Sequence, residues 1–249
     1  MLNSAAGGLC NSSGVLGHYL MDHIYEGGAA GELPMLEARP WMGPPRRPNG
    51  IYVPRFRNVK EKTTNGFIRG YGYQGGSSPN FEFGAPGFGA GYKNAVRNGR
   101  WHVNLGLWGE CLARSENYVE IDKDTVDAWG LPALKIHMSW SDNEKKLFED
   151  GRQQAAEMLE AAGAKNVHLT GRYSVPGFCI HEIGTARIGN DPKKSVLNHF
   201  NQAHDVKNIF VTDGAAWVSS ACQNPTLSMM AITVRACDYI AEKYKNNEL

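Results

Sequence analysis

Side chains able to do chemistry gather in four short stretches. The first, RGYGYQGGSS at 69–78, spaces Gly70, Gly72 and Gly75 as G-x-G-x-x-G, the pattern that cradles a dinucleotide pyrophosphate. That use needs a strand before it, a helix after it and an acidic residue about 20 positions on. The next residues, GSSPNFEFGAPG, open no helix, and no Asp or Glu occurs between Glu82 and Glu110. The glycines therefore read as strand positions that let Tyr71 and Tyr73 pack or let a neighbouring chain come close. The second stretch, FCIHEIGTARIG at 178–189, sets His181 beside Glu182. A zinc H-E-x-x-H would need histidine at 185, where Thr185 stands, so no metal site is expected. His181 sits on a short apolar segment before Gly184, a position that holds an imidazole rather than solvating it, and taken alone it reads as a satisfied core histidine. The third and fourth stretches are Asp213-Gly214, ending an apolar run, and Asn224-Pro225, opening a long helical pattern. Asn and Pro suit the N-cap and N1 positions, and the helix N-terminus they begin would stabilise an anion.

The elements that must hold these residues follow from periodicity. Residues 1–50 read as irregular, with a short helix near Gly17–Asp22 and a hard turn or linker in GPPRRPNG at 43–50. IYVPRF is an edge strand because of Pro54. FIRGYGYQ, WHVNLGLW, NYVEID and ALKIHMSW alternate as strands, the last aligning Leu134, Ile136, Met138 and Trp140. Residues 81–100 read as glycine-dense loop. From Ser141 the period becomes helical, through Leu147, Ala155, Met158, Leu159 and Ala162, with Glu144 completing a capping box and Gly163 as the stop. NVHLTGRY is a short strand and KNIFVTDGA a buried one. The final helix carries Leu227, Met230, Ala231, Val234, Cys237 or Asp238, Ala241 and Tyr244 down one side, which is expected to be its packed face.

In order and over the last third, the residues His181, Gly184, Thr185, Arg187, Gly189, Asn208, Val211, Asp213, Gly214, Asn224, Pro225, Thr226 and Leu227 resemble the C-terminal pattern of glucose–methanol–choline flavoprotein oxidoreductases. Ile188 stands where that family usually has Met, and Ala215 where Ser is common. Upstream, GVLGHYLMDH, GECLARSENYVEID and WGLPALKI are similar to the family's other segments, and the choline or gluconate dehydrogenase-like branch compares best. The resemblance implies FAD as cofactor and hydride transfer from an alcohol CH–OH, of a sugar or polyol, by a dehydrogenase or an oxidase. It implies that His181 takes the hydroxyl proton, and that Asn224 orients the substrate oxygen. Asp213 and Gly214 would lie along the FAD diphosphate or ribityl chain, with Asn224, Pro225 and the backbone N–H groups of Thr226 and Leu227 at the flavin's pyrimidine end. The family's opening ADP-binding strand, G-x-G-x-x-G and helix have no counterpart in this sequence. The chain thus reads as an N-terminally truncated enzyme, inactive by itself or reliant on a partner that supplies the flavin segment.

The expected fold is α+β: a mostly antiparallel substrate-domain sheet backed by helices, plus the C-terminal part of a flavin-binding domain. Residues 1–45 would form the junction between these parts, 46–170 the substrate-binding domain, and 171–249 the catalytic wall that closes the FAD domain. A formal net charge of +1 with 20% charged residues gives no electrostatic footprint for nucleic acid. No apolar run approaches the roughly 20 residues of a membrane span and the first residues lack a signal-peptide pattern, so the chain reads as soluble, its compartment and electron acceptor open. The five scattered cysteines suggest neither zinc ribbon nor disulfide framework. His18 and His23 lack the i, i+4 spacing of helical metal ligands and read as structural or loop residues; His199 and His204 read as solvated. The alternative reading, from the missing fingerprint and the exposed-type Trp and Tyr residues, is a non-catalytic remnant or a carbohydrate-binding protein.

Overall fold

Alternating apolar residues form strands and the helical periods form helices, in the order β1 (Gly28–Glu32), β2 (Gly50–Val53), β3 (Tyr71–Pro79), α1 (Gly89–Arg97), β4 (Trp101–Gly109), β5 (Tyr118–Val126), β6 (Pro132–His137), α2 (Asp142–Ala161), β7 (Lys165–Thr170) and α3 (Thr226–Lys245). This computed structural model describes residues 1–2, 8–36, 50–60, 65–79, 83–97 and 100–249; the linker expected at 43–50 lies outside them except for Gly50. All pairs between these strands are antiparallel, in a five-stranded sheet of order β2-β3-β4-β1-β7 and a two-stranded sheet of β5 and β6. The fold is α+β. Contacts gather the residues into two interleaved units: Met1–His23, Glu110–Glu144 and Val175–Leu249 in one, Ile24–Gly109 and Lys145–Ser174 in the other.

The second unit holds the five-stranded sheet and most of α2. Tyr71, Tyr73, Val103, Leu105 and Leu107 are buried on the sheet, and Leu147, Phe148, Ala155 and Leu159 on the helix. The Tyr73 hydroxyl donates to the Gly151 carbonyl at 2.7 Å, and Asp150 accepts from Arg57 at 2.9 Å and from the Tyr71 hydroxyl. Of the G-x-G-x-x-G glycines, Gly72 and Gly75 lie within β3, opposite Trp108 and Leu105 of β4, and Gly70 immediately precedes the strand. A Cβ on Gly75 would fall 2.0 Å from the Asn104 carbonyl oxygen, so close strand approach explains that glycine. Part of the expected 81–100 loop is instead α1. Local i→i+4 bonds suffice for it once Gly89 and Gly91 are followed by Tyr92-Lys93-Asn94-Ala95, and it buries no residue.

The first unit holds the β5–β6 hairpin, α3 and the irregular segments between them. The capping box forms as expected: Glu144 accepts from the Ser141 N–H at 2.8 Å, and Ser141 Oγ accepts from the Asn143 N–H at 3.2 Å. Three expectations are overturned. Gly17–Asp22 is irregular rather than helical, because its backbone bonds run across the chain: Gly17 N–H to Thr185 O at 2.7 Å, Leu20 N–H to Asn117 O at 2.9 Å, Met21 N–H to Ile183 O at 2.8 Å. KNIFVTDGA makes only an isolated bridge between Gln202 and Phe210. Its backbone partners include the 201–203 turn (Val211 N–H to Asn201 O, Ala203 N–H to Ile209 O) and 184–186 (Gly184 N–H to Gly214 O, Ala186 N–H to Ala215 O), and Ile209, Val211 and Ala215 pack on a small core around Leu197 and Ala203. Finally, the side of α3 expected to be packed faces outward, with Leu227, Met230 and Val234 being 79, 62 and 61% exposed. The packed side carries Met229, Ile232, Thr233 and Ala236, since Thr233 Oγ1 donates to the Thr212 carbonyl at 3.2 Å and Ala236 is fully buried.

Candidate active site

Two chain segments of the first unit cross at the candidate base. The irregular run ending in Asp22-His23 pairs with 183–185 through the Met21–Ile183 bridge, whose two N–H···O bonds are 2.8 and 2.9 Å. Asp22 is fully buried, and its carboxylate accepts from the backbone N–H groups of His23 (2.8 Å), Cys179 (2.7 Å) and His181. One side chain thereby fixes both segments that carry histidine. Burial pushes the Asp22 carboxyl up to about 6, against the pull of those three N–H donors.

His181 is half-buried, and its Nδ1 lies 2.9 Å from Nδ1 of the buried His23, the rings meeting edge to face at 4.9 Å. His23 Nε2 hydrogen-bonds the Ala221 carbonyl. Cys179 Sγ stands 3.9 Å from His181 Nδ1. Burial holds His23 down to about 4 and lowers His181 below the usual histidine range, so both imidazoles are neutral at pH 7. The donor atoms of His23, Cys179 and His181 lie within 4.8 Å of one another, a set that could in principle take zinc. The 2.9 Å contact between the ring nitrogens has the length of a hydrogen bond. Ile180, between Cys179 and His181, has φ +61, and Thr185 has φ +78. β-Branched residues in that region store backbone strain, and strain of this kind clusters at functional sites.

Next to His181 in sequence, a cavity of about 410 Å³ opens between apolar walls, among them Leu20, Val119, Leu134, Ile136 and Met229. Glu182, Thr185 and Asp213 supply its polar side chains, and Gly184, Gly214 and Ala215 its backbone floor. This answers why Leu134 and Ile136 share a strand face yet stay exposed: they border this space. Gly184 has φ +93 and a Cβ there would meet the Tyr19 carbonyl oxygen at 2.0 Å, so only glycine suits. Arg187 stacks its guanidinium on the Tyr19 ring at 4.4 Å.

The expected cofactor residues divide. Asp213 and Gly214 line the cavity, with Asp213 also accepting from the Ala215 N–H at 2.9 Å to cap the 3-10 turn Gly214–Ala216. Asn224, Pro225, Thr226 and Leu227 are outside its lining, at the start of α3. Pro225 has helical dihedrals (φ −83, ψ −16), as the N1 position requires, and its carbonyl accepts from the Met229 N–H at 3.0 Å. As at any helix start, the first-turn N–H groups of α3 have no intrahelical acceptor, the property that suits an anion. Asn224 is exposed, in the loop that His23 anchors at Ala221. Asp22, His23 and Cys179 were missed from sequence because irregular chain brings them to His181; the Asp-His pair in GVLGHYLMDH was the available signal.

Residues 113–233 match the family model described as GMC oxidoreductase. The chain belongs to the GMC oxidoreductases. A 2-methyl-1,2-propanediol dehydrogenase of Mycolicibacterium austroafricanum is 32% identical across 96% of this chain and 44% of its own length. The gluconate 2-dehydrogenase flavoprotein of Pantoea cypripedii is 28% identical across 66% of this chain and 28% of its own. Among solved structures, formate oxidase from Aspergillus oryzae RIB40 superposes with a TM-score of 0.59 at 14% identity, over 93% of this chain and 48% of that one, a likeness of fold. This GMC chain thus spans less than half the length of these relatives. Among the described residues, no helix is long and apolar enough to cross a membrane.

Proposed function

We propose that this GMC chain takes part in oxidising a CH–OH group of a small diol, polyol or sugar, with FAD as hydride acceptor. Support for the substrate class comes from the relatives' names: 2-methyl-1,2-propanediol, gluconate and fructose share vicinal hydroxyls. The observation that carries the reading is the neutral, clamped His181 imidazole on the segment that goes on to line a mostly apolar cavity.

The residues fit the cofactor in kind. A cavity of about 410 Å³ is in the range of small-ligand pockets, about 300–1,000 Å³. Asp213 and Gly214 are on its wall, and the start of α3 offers the N–H groups of Thr226 and Leu227 to the negative pyrimidine end of a reduced flavin. Bound FAD would supply the two-electron acceptor.

The chain's own residues would do the proton chemistry. His181 accepts the substrate hydroxyl proton; a lowered pKa keeps it in the neutral, receptive form at pH 7. The Asn224 carboxamide hydrogen-bonds the same oxygen and orients it without titrating. Leu134, Ile136 and Met229 give the cavity apolar walls for the substrate's carbon skeleton to pack against.

The experiment records the visible spectrum of FAD-loaded protein and follows flavin bleaching by 2-methyl-1,2-propanediol, gluconate or fructose in a stopped-flow instrument. His181→Ala is expected to keep FAD and slow reduction by roughly 10²–10⁴-fold. A protein that takes up no FAD, or a variant that reduces it at the parent's rate, overturns the reading. Oxygen consumption during turnover separates oxidase from dehydrogenase.

A further inference from the structure

Which nitrogen of His181 is basic depends on where its one proton sits, and the neighbouring contacts decide that. The Ala221 carbonyl can only accept, so the His23 nitrogen facing it, Nε2, carries hydrogen. A neutral His23 has one N–H; its Nδ1 is then a lone pair. The atom 2.9 Å from that lone pair is His181 Nδ1, which must be the donor of the bond. A neutral His181 holding its proton on Nδ1 keeps its own lone pair on Nε2.

We propose that His23 is a positioning residue: its chain of hydrogen bonds, from His181 Nδ1–H to His23 Nδ1 and from His23 Nε2–H to the Ala221 carbonyl, makes Nε2 the basic nitrogen of His181. The proposal rests on His181 being the base. His23 is buried and its protonated form is disfavoured, so it does not compete for the substrate proton. The Asp22 carboxylate keeps the relay in register by holding the backbone N–H groups of His23, Cys179 and His181 together. The same bond anchors Ala221, and so ties the loop leading to Asn224 to the base. Besides Asp22, Glu182 is a charged group near the pair and favours protonated His181; Cys179 adds a thiol at 3.9 Å from Nδ1.

The test reads the tautomer directly. Protein labelled with ¹⁵N-histidine and dialysed against EDTA, with FAD added, gives ring nitrogen shifts at pH 7.5; His181→Ala and His23→Phe assign the two rings. In the parent, His181 is expected to show protonated Nδ1 and unprotonated Nε2, and His23 the reverse. In His23→Phe, which fills the space without an acceptor, His181 is expected to lose the Nδ1–H form. Flavin reduction by 2-methyl-1,2-propanediol is then expected to slow about 10-fold or more, in kcat rather than KM. His23→Asn can offer a carbonyl oxygen in place of Nδ1 and is expected to restore both the tautomer and most of the rate. A parent His181 protonated on Nε2, or a His23→Phe variant that keeps Nδ1–H, overturns the proposal. So does a changed tautomer with an unchanged rate, when His181→Ala does slow the reaction. If His181→Ala leaves reduction untouched, the base assignment falls, while the shifts still report separately whether His23 sets the proton.

Discussion

At the scale of single residues, Asp22 and His23 are neighbours whose burial penalties act in opposite directions on stability. The Asp22 carboxyl is raised to about 6, above its unfolded value of about 3.8, so its contribution is present below the unfolded value and is lost as pH rises through 6. His23 is lowered to about 4 from about 6.5, so its contribution is present above 6.5 and is lost as pH falls through 4. Each shift corresponds to about 3 kcal/mol, and between pH 4 and 6.5 the two nearly cancel. Asp22→Asn removes one side of that balance. Its urea midpoint is expected to drop more than the parent's between pH 7 and pH 4.5, by the equivalent of a few kcal/mol at most. Parallel midpoints across that range would show that the carboxyl does not titrate as its burial requires.

At the scale of elements, α3 has two apolar sides and only one of them is covered. Leu227, Met230 and Val234 are more than half exposed, whereas Ala236 is fully buried among residues of the other side. Replacing Leu227 or Val234 with Gln is expected to change the chain's stability by no more than about 0.5 kcal/mol and to weaken binding of a hydrophobic dye. Ala236→Leu is expected to cost about 1–3 kcal/mol, because a fully packed site must shift to admit three more carbons. Equilibrium unfolding measures both, and the reverse order of effects would mean that the helix is rotated. Periodicity located this helix but could not say which apolar stripe is packed, since Leu227 and Met229 are equally apolar as letters. The capping box at Ser141 was legible for the opposite reason: its chemistry is complete within four consecutive residues.

At the scale of the molecule, the two units interleave along the chain, so the N-terminal residues belong with the C-terminal third. Gly17 and Met21 supply backbone bonds to Thr185, Val119 and Ile183. Deleting Met1–His23 is therefore expected to strip amide exchange protection from Val119, Ile183 and Thr185. The five-stranded sheet takes no strand from that segment, so amides of Tyr73, Leu105 and Leu107 are expected to stay protected. Hydrogen exchange read by mass spectrometry checks this; uniform loss across both sets would mean one cooperative unit.

The order His181, Gly184, Thr185, Asp213, Asn224 and the strand and helix periods were legible from letters alone, because each depends on residue type at fixed short spacing. The antiparallel α+β class and the emptiness of the G-x-G-x-x-G signal came from the same local rules. What only the tertiary structure decided was the company His181 keeps. Asp22 and His23 lie 158 residues or so away along the chain, and irregular segments with no period of their own bring them together. Hydrogen bonds between distant backbone groups set that crossing, and no sequence window contains both ends of such a bond.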